Sequence, residues 1–284
     1  MVRTRDTGFP AADAQDDFLR ARRRQALSRV GRGLSRASGD VDLILPFDEV
    51  VAALGRVGER TLGLEVVALE TVLGTVDRTH GFDRQFRPTS RLVRARWEGI
   101  ANAMRRGEAM PPVLLYRIGE VHFVRDGHHR VSVARAMGLG KIDAYVTEVR
   151  TRVGAERSLT VADLPLKSHE RVFLERVPLP SPARERVKVS DAWDYARLAE
   201  GVEAWGFRLM QDRCELLDRA GVAQLWFAEE YAPVVELLRE ARLLDPGDAS
   251  VTETDLYMRA AEERYRLLRT HAWSPEVIAR LRSG

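Results

Sequence analysis

The run Val121–Gly138, VHFVRDGHHRVSVARAMG, decides how the first half of the chain is read. An apolar-rich stretch, VHFVR, stops at Asp126-Gly127. Two histidines and an arginine follow, and a helical pattern then runs to Gly138 and Gly140. The pattern predicts a strand that turns through glycine into a helix. A helix N-terminus presents backbone N–H groups that have no intrahelical acceptor, together with the positive end of the helix dipole. Anions, phosphates above all, bind there. Gly127 removes the side chain that would block close approach of the backbone. His128 and His129 can donate hydrogen bonds, and Arg130 adds a forked, charged donor. Asp126 repels a phosphate. Its uses are to cap the helix, to accept from a ribose or an alcohol, or to hold a Mg2+ ion that screens the phosphates. A plainer alternative stays open, in which Asp126 only caps and the histidines only satisfy loop carbonyls. Zinc is disfavoured: adjacent helical side chains diverge by about 100°, and no spaced Cys or His set supplies further ligands.

Outward from this run, VLLYRI and VHFVR read as two strands of a hairpin turning at Gly119-Glu120, entered through Pro111-Pro112. IDAYVTEV is a further strand. Val93, Trp97, Ile100 and Met104 recur at spacings of four, three and four, so a helix with one buried face precedes the hairpin, capped by Thr89 or Ser90. GLEVVALETVLGTV between Gly63 and Gly74 reads as one extended segment, and Pro46–Leu54 as a short helix. Residues 77–88, DRTHGFDRQFRP, have no period and read as a loop. Arg78, His80, Asp83, Arg84 and Arg87 make it dense in polar groups. They either line a pocket or pair among themselves in solvent. Phe82 and Phe86 serve as anchors for the loop or as a face on which a base stacks.

The strand, glycine turn and helix, with PPVLLYRIGE before and IDAYVTEV after, resemble the ParB/sulfiredoxin superfamily over about residues 62–150. Partition proteins of the ParB type carry Gly-Glu-Arg-Arg at this joint and bind a nucleoside triphosphate. Gly127 and Arg130 match that pattern, and His128 and His129 replace its middle pair. Sulfiredoxins carry Gly-Gly-Cys-His-Arg; His128 stands where their catalytic cysteine would be, which argues against that chemistry. ParB-like free serine kinases look closest at the motif itself. The resemblance implies nucleotide binding (ATP, ADP or CTP, with Mg2+). Gly127, His128, His129, Arg130, Arg78, His80 and Arg87 are the phosphate-site candidates, and Asp126 is the metal ligand. Phosphoryl transfer or nucleotide hydrolysis would also need a base, for which Asp126, Asp83 and Glu120 are candidates. No helix-turn-helix of the partition type is visible, since VADLPLKSHERVFL is too rich in proline.

The remainder is read from periodicity and composition. After a loose tail over residues 1–13, Asp16–Ala37 is predicted helical, with Phe18, Leu19, Leu27, Val30 and Leu34 as sparse apolar positions. Arg22, Arg23, Arg24 and Arg29 belong to its crowded basic face. That face is either solvated or a DNA-binding arm. Only three of the 45 basic residues are lysines, so the arginine bias is general, and a net charge of +3 permits nucleic-acid contact without demanding it. Residues 151–190 form a proline-containing connector with a strand at Arg171–Val177. Residues 191–284 are mainly helical and resemble the C-terminal segment of an uncharacterised bacterial group. Pro233 should kink one of these helices, Thr252 and Asp255 form a capping box, and Ser274-Pro275 starts a last short helix. Trp193, Trp205, Trp226 and Trp273 sit at apolar helical positions and are expected in the core. The fold class is therefore α+β: an Arg-rich helix over 1–40, a ParB/sulfiredoxin-like domain over 41–150, the connector, and the helical domain. One cysteine, Cys214, excludes an internal disulfide framework. Together with the lack of an apolar leader or membrane span, it leads to the expectation of a cytoplasmic protein. Alternatives to the nucleotide reading are a partition-like or nuclease-like DNA-binding protein, and a regulatory scaffold whose helical half binds a protein partner; separately, a homodimer through the helical region is an expected partnership.

Overall fold

A six-stranded mixed sheet organises the first half of the chain, in the order β1-β3-β5-β4-β6-β2. The structure is a computed structural model and describes residues 7–35, 43–76, 81–241, 251–268 and 273. Two compact units divide it, Met1–Leu164 and Pro165–Gly284. In the first, the strands are β1 (Leu45–Pro46), β2 (Arg56–Ala68), β3 (Val72–Thr75), β4 (Val113–Ile118), β5 (Val121–Asp126) and β6 (Lys141–Thr151). β3 runs parallel to β1 and β5, while β4 pairs antiparallel with β5 and parallel with β6. The expected hairpin at Gly119-Glu120 is present.

Helices α1 (Pro10–Ser35), α3 (Arg94–Arg105) and α4 (His128–Ala136) share one core with the sheet. Phe18, Trp97, Val131 and Ala134 meet Val113, Leu115, Val124 and Val146 there. Strand alternation sends Tyr116 to the other face. There Phe47 of α2 (Phe47–Leu54) stacks on it with ring centroids 4.7 Å apart.

Several expectations are corrected. Helix α1 begins at Pro10, inside the stretch read as a loose tail. It is also not a helix solvated all round. Its buried face carries Ala14, Phe18 and Ala21 with Asp13 and Asp17, whereas Leu19 and Leu27 are exposed. The two carboxylates survive burial because Arg105 of α3 pairs with both. The segment from Gly63 to Val76 is not one strand: a 3-10 turn at Leu69–Thr71 breaks it, and the chain returns to the sheet as β3 beside β5.

The predicted strand at Arg171–Val177 is helical. Helix α5 spans Leu164–Arg176, and its buried residues Glu170, Phe173 and Leu174, with Val177 just past its end, fall at helical spacing. The alternation of Val172 and Leu174 misled, since Val172 is exposed. In the second unit follow α6 (Ala183–Arg186), α7 (Asp194–Arg213), α8 (Arg219–Leu225), a π-helical turn at Trp226–Tyr231, α9 (Ala232–Glu240) and α10 (Glu253–Leu268). Pro233 has no N–H to donate and its ring crowds the carbonyl four residues back, so the chain widens into the π turn just before it. The capping box is present, with Thr252 N–H donating to Asp255 at 2.7 Å and Asp255 N–H to the Thr252 hydroxyl at 3.1 Å. Trp226 is buried as expected, but Trp193 is 72% exposed. Ser274-Pro275 lies outside the described residues. No helix among them is long and apolar enough to cross a membrane.

Candidate functional site

Parallel pairing of β3 with β5 brings their carboxyl ends together, and the DGHHR segment sits at that edge. Strand β5 ends at Asp126. Gly127 takes φ +100°, a left-handed conformation that L side chains rarely adopt, and α4 starts at the next residue. A Cβ on Gly127 would lie 2.5 Å from Val113 Cγ1, so glycine is required both by the backbone and by the packing. The first intrahelical hydrogen bond runs from Val131 N–H to the Gly127 carbonyl at 3.0 Å.

The histidines turn inward. His128 is buried, and its Nε2 lies 2.7 Å from the Thr75 hydroxyl at the end of β3. His129 is buried against the edge of Phe82, with centroids 5.3 Å apart. Phe82 and Phe86 are buried anchors, and Phe82 stacks over His128. These rings therefore fix the joint, with only the helix end at the surface.

Arg130 is held in place. Its Nη1 donates to the carbonyls of Pro111 and Pro112, the latter at 2.8 Å, and its Nη2 donates to Asp126 at 2.7 Å. The sequence alternative in which Asp126 caps the helix is corrected: the N-cap position is Gly127, and no side chain caps it. The Asp126 carboxylate instead clamps Arg130, and remains 62% exposed.

A cavity of about 130 Å³ opens over this joint, and Arg96 of α3 and Arg125 of β5 line it with Asp126–Arg130. Both arginines are exposed, and neither forms an ion pair among the described residues. Arg125 lies over the Tyr116 ring at 5.8 Å. Sequence reasoning missed both. Arg125 adjoins the motif directly, but nothing in the spacing of α3 marks Arg96.

The other candidates scatter. Asp83 is buried: it accepts from Gln85 and Arg87 N–H at 3.0 and 2.9 Å, and from Arg87 Nε at 2.7 Å. Its acceptors are spent on its own loop. Arg87 also reaches the Ser28 hydroxyl and the Arg24 carbonyl on α1, at a separate cleft of about 230 Å³ that Arg20 and Arg135 line too. Arg20 there pairs with Asp17, and Arg135 donates to the carbonyls of Leu69 and Val72, so most of that cleft's charge is already used. Burial lowers the Arg135 guanidinium to about 10.

Glu120 sits at the opposite end of β5 from Asp126, roughly 20 Å away at ~3.3 Å per strand residue, and faces Arg157. It does not join the site. Arg78 and His80 lie outside the described residues. Arg22, Arg23 and Arg24 range from half-buried to exposed on α1, and the side chain of Arg29 is not described. His122, inside the quoted run, is buried with Nδ1 2.9 Å from the Thr71 hydroxyl. Burial, and secondarily Arg117, lower it to about 4, so it stays neutral and structural. Among the described residues no three His, Cys, Asp or Glu converge as a metal site.

No family model, curated protein or solved structure matches the chain. The geometry of the joint therefore carries the functional argument by itself.

Proposed function

We propose that the protein binds a phosphate-bearing ligand, a nucleotide such as ATP, ADP or CTP, with a phosphate group at the N-terminus of α4. The observation that carries this reading is the left-handed Gly127 opening α4 beside two arginines, Arg96 and Arg125, that pair with no carboxylate among the described residues. The helix end supplies oriented N–H dipoles and the arginines supply charge. The cavity is smaller than the ~300 Å³ at which pockets for whole small molecules begin, so it suits a phosphate group, with the rest of the ligand outside.

In this reading Arg130 positions the joint by gripping Pro111, Pro112 and Asp126, and the histidines brace it from below. Mg2+ would be held by Asp126 together with phosphate oxygens, since no other carboxylate stands at the cavity. If phosphoryl transfer takes place, Asp126 is the one of the three candidate bases placed to serve it. The resemblance to ParB-like proteins points to the same joint.

Calorimetry with ATP, ADP, CTP and inorganic phosphate, with and without Mg2+, tests this. Saturable binding that the Arg96→Ala/Arg125→Ala variant loses supports it. Wild-type affinity in that variant, or no binding by the wild type, overturns it. A DNA duplex in the same series addresses the Arg-rich face of α1: binding that falls steeply with salt and survives the double substitution would favour DNA instead.

A further inference from the structure

Arg130 stands closer to the turn before α4 than a brace for the joint requires. A Cβ on Gly127 would lie 3.2 Å from Arg130 Cζ, so the guanidinium rests against the residue that opens the helix. It lines the small cavity there together with Arg96, Arg125 and Asp126. Its two terminal nitrogens are used differently. Nη1 donates to the carbonyls of Pro111 and Pro112, while Nη2 donates to the Asp126 carboxylate at 2.7 Å.

The two halves of this ion pair are not equally fixed. The Arg130 side chain is 14% exposed and is tied to two backbone carbonyls. The Asp126 side chain is 62% exposed, and among the described residues its carboxylate has no partner besides Arg130. An ion pair with one partner in solvent contributes little, so turning that carboxylate out into water costs little. Moving the guanidinium would leave two carbonyls without their donor. Asp126 is the half that can move.

A phosphate at this joint and the Asp126 carboxylate compete for the same donor. Both are anions, and side by side in a cavity of about 130 Å³ they repel each other. Turned away, Asp126 frees Nη2. We infer, on the phosphate reading above, that Asp126 is a tethered anion occupying the site in the free protein, and that a ligand's phosphate displaces it and takes Arg130 Nη2 as a third charged donor beside Arg96 and Arg125. The exchange trades one anion for another. A dianionic terminal phosphate gains more attraction for the same displacement than the monoanionic diester of a nucleic-acid backbone does. The site is thereby tuned to phosphate monoesters.

The probes are methyl phosphate, a dianion at about pH 8.5, and dimethyl phosphate, its monoanionic counterpart. Mg2+ is left out, so that the charge of the carboxylate itself is read. Binding to the full chain is measured by calorimetry. The Asp126 carboxyl is followed by 13C NMR on protein labelled in its aspartates, its signal being the one that Asp126→Asn lacks. We expect methyl phosphate to bind about tenfold tighter than dimethyl phosphate. The Asp126 signal should move to the position of a solvent-exposed aspartate as the site saturates. Asp126→Asn and Asp126→Ala should each bind methyl phosphate about fivefold tighter, the scale of an exposed ion pair. Binding with the Asp126 signal unmoved, unchanged or weaker binding by both variants, or equal affinity for the two probes would each overturn this inference and leave the phosphate reading standing. Failure of all three proteins to bind methyl phosphate or inorganic phosphate would overturn that reading, and the inference with it.

Discussion

Asp126–Arg130 and Asp83–Arg87 share a spacing, and in both the aspartate and the arginine close into an ion pair at 2.7 Å. They differ in what surrounds the pair. The Asp83 side chain is 8% exposed and spends its oxygens on two loop amides and Arg87, so the segment is a self-contained cap. Asp126 is 62% exposed, and beside it stand two arginines that have no carboxylate partner among the described residues. Polar density in a loop thus does not mark a site. What distinguishes the joint is that Arg96 and Arg125 beside it meet no carboxylate among the described residues.

The sharpest way to break this comparison is at Gly127. Gly127→Val forces a β-branched side chain into φ +100° and against Val113. Backbone strain and overpacking together should cost about 4 kcal/mol, read by urea denaturation. A loss under 1 kcal/mol would show that the joint relaxes freely and that its shape is not fixed by glycine.

The two aspartates should separate next. Asp83→Ala leaves Arg87 and two loop amides without their acceptor in a buried place, and should destabilise by about 3–4 kcal/mol. Asp126→Ala removes an exposed partner and should cost under about 1 kcal/mol. Equal losses in the denaturation midpoint would erase the distinction between a cap and an open site.

His122 gives the strand that carries the joint its own pH dependence. Its folded value of about 4 lies below the unfolded ~6.5, so the unfolded chain binds the proton first. The stability from keeping His122 neutral is present above pH ~6.5 and is lost as pH falls towards 4, about 3 kcal/mol in all. His122→Asn should flatten the curve in that window. A slope unchanged by the substitution would place the titration elsewhere.

The smallest effect concerns ligand affinity. Arg96→Ala and Arg125→Ala should each weaken phosphate binding by about 1 kcal/mol, near fivefold, without moving the midpoint of unfolding. Arg87→Ala should do the reverse, lowering stability and leaving affinity alone. Affinity that follows Arg87 would move the site to the cleft beside α1.

Much of this was legible because it is local. The hairpin at Gly119, the helix from His128, the buried face of α3 and the Thr252–Asp255 box each follow from residues within one or two turns. The failures had local causes too. Val172 and Leu174 alternate within what is a helix, and the apolar run from Gly63 conceals a 3-10 turn. In the candidate site, Gly127 could be singled out because a strand running into a helix needs a tight turn there. Arg96 carried no signal, since only the packing of α3 brings it to the cavity. Glu120 looked as good as Asp126 on paper, and the length of β5 separates them.

The sequence by itself determined that a strand turns through glycine into a helix at residue 127. Backbone conformation and hydrogen-bond periodicity act over a few residues, so they can be read along the chain. The tertiary structure alone decided which charges remain available. Whether an arginine meets a carboxylate, a carbonyl or open solvent depends on residues far apart in sequence: Arg130 on Pro111, Arg87 on Ser28, Glu230 on Arg264. Such pairings are set by how helices and strands pack, and no local pattern encodes them.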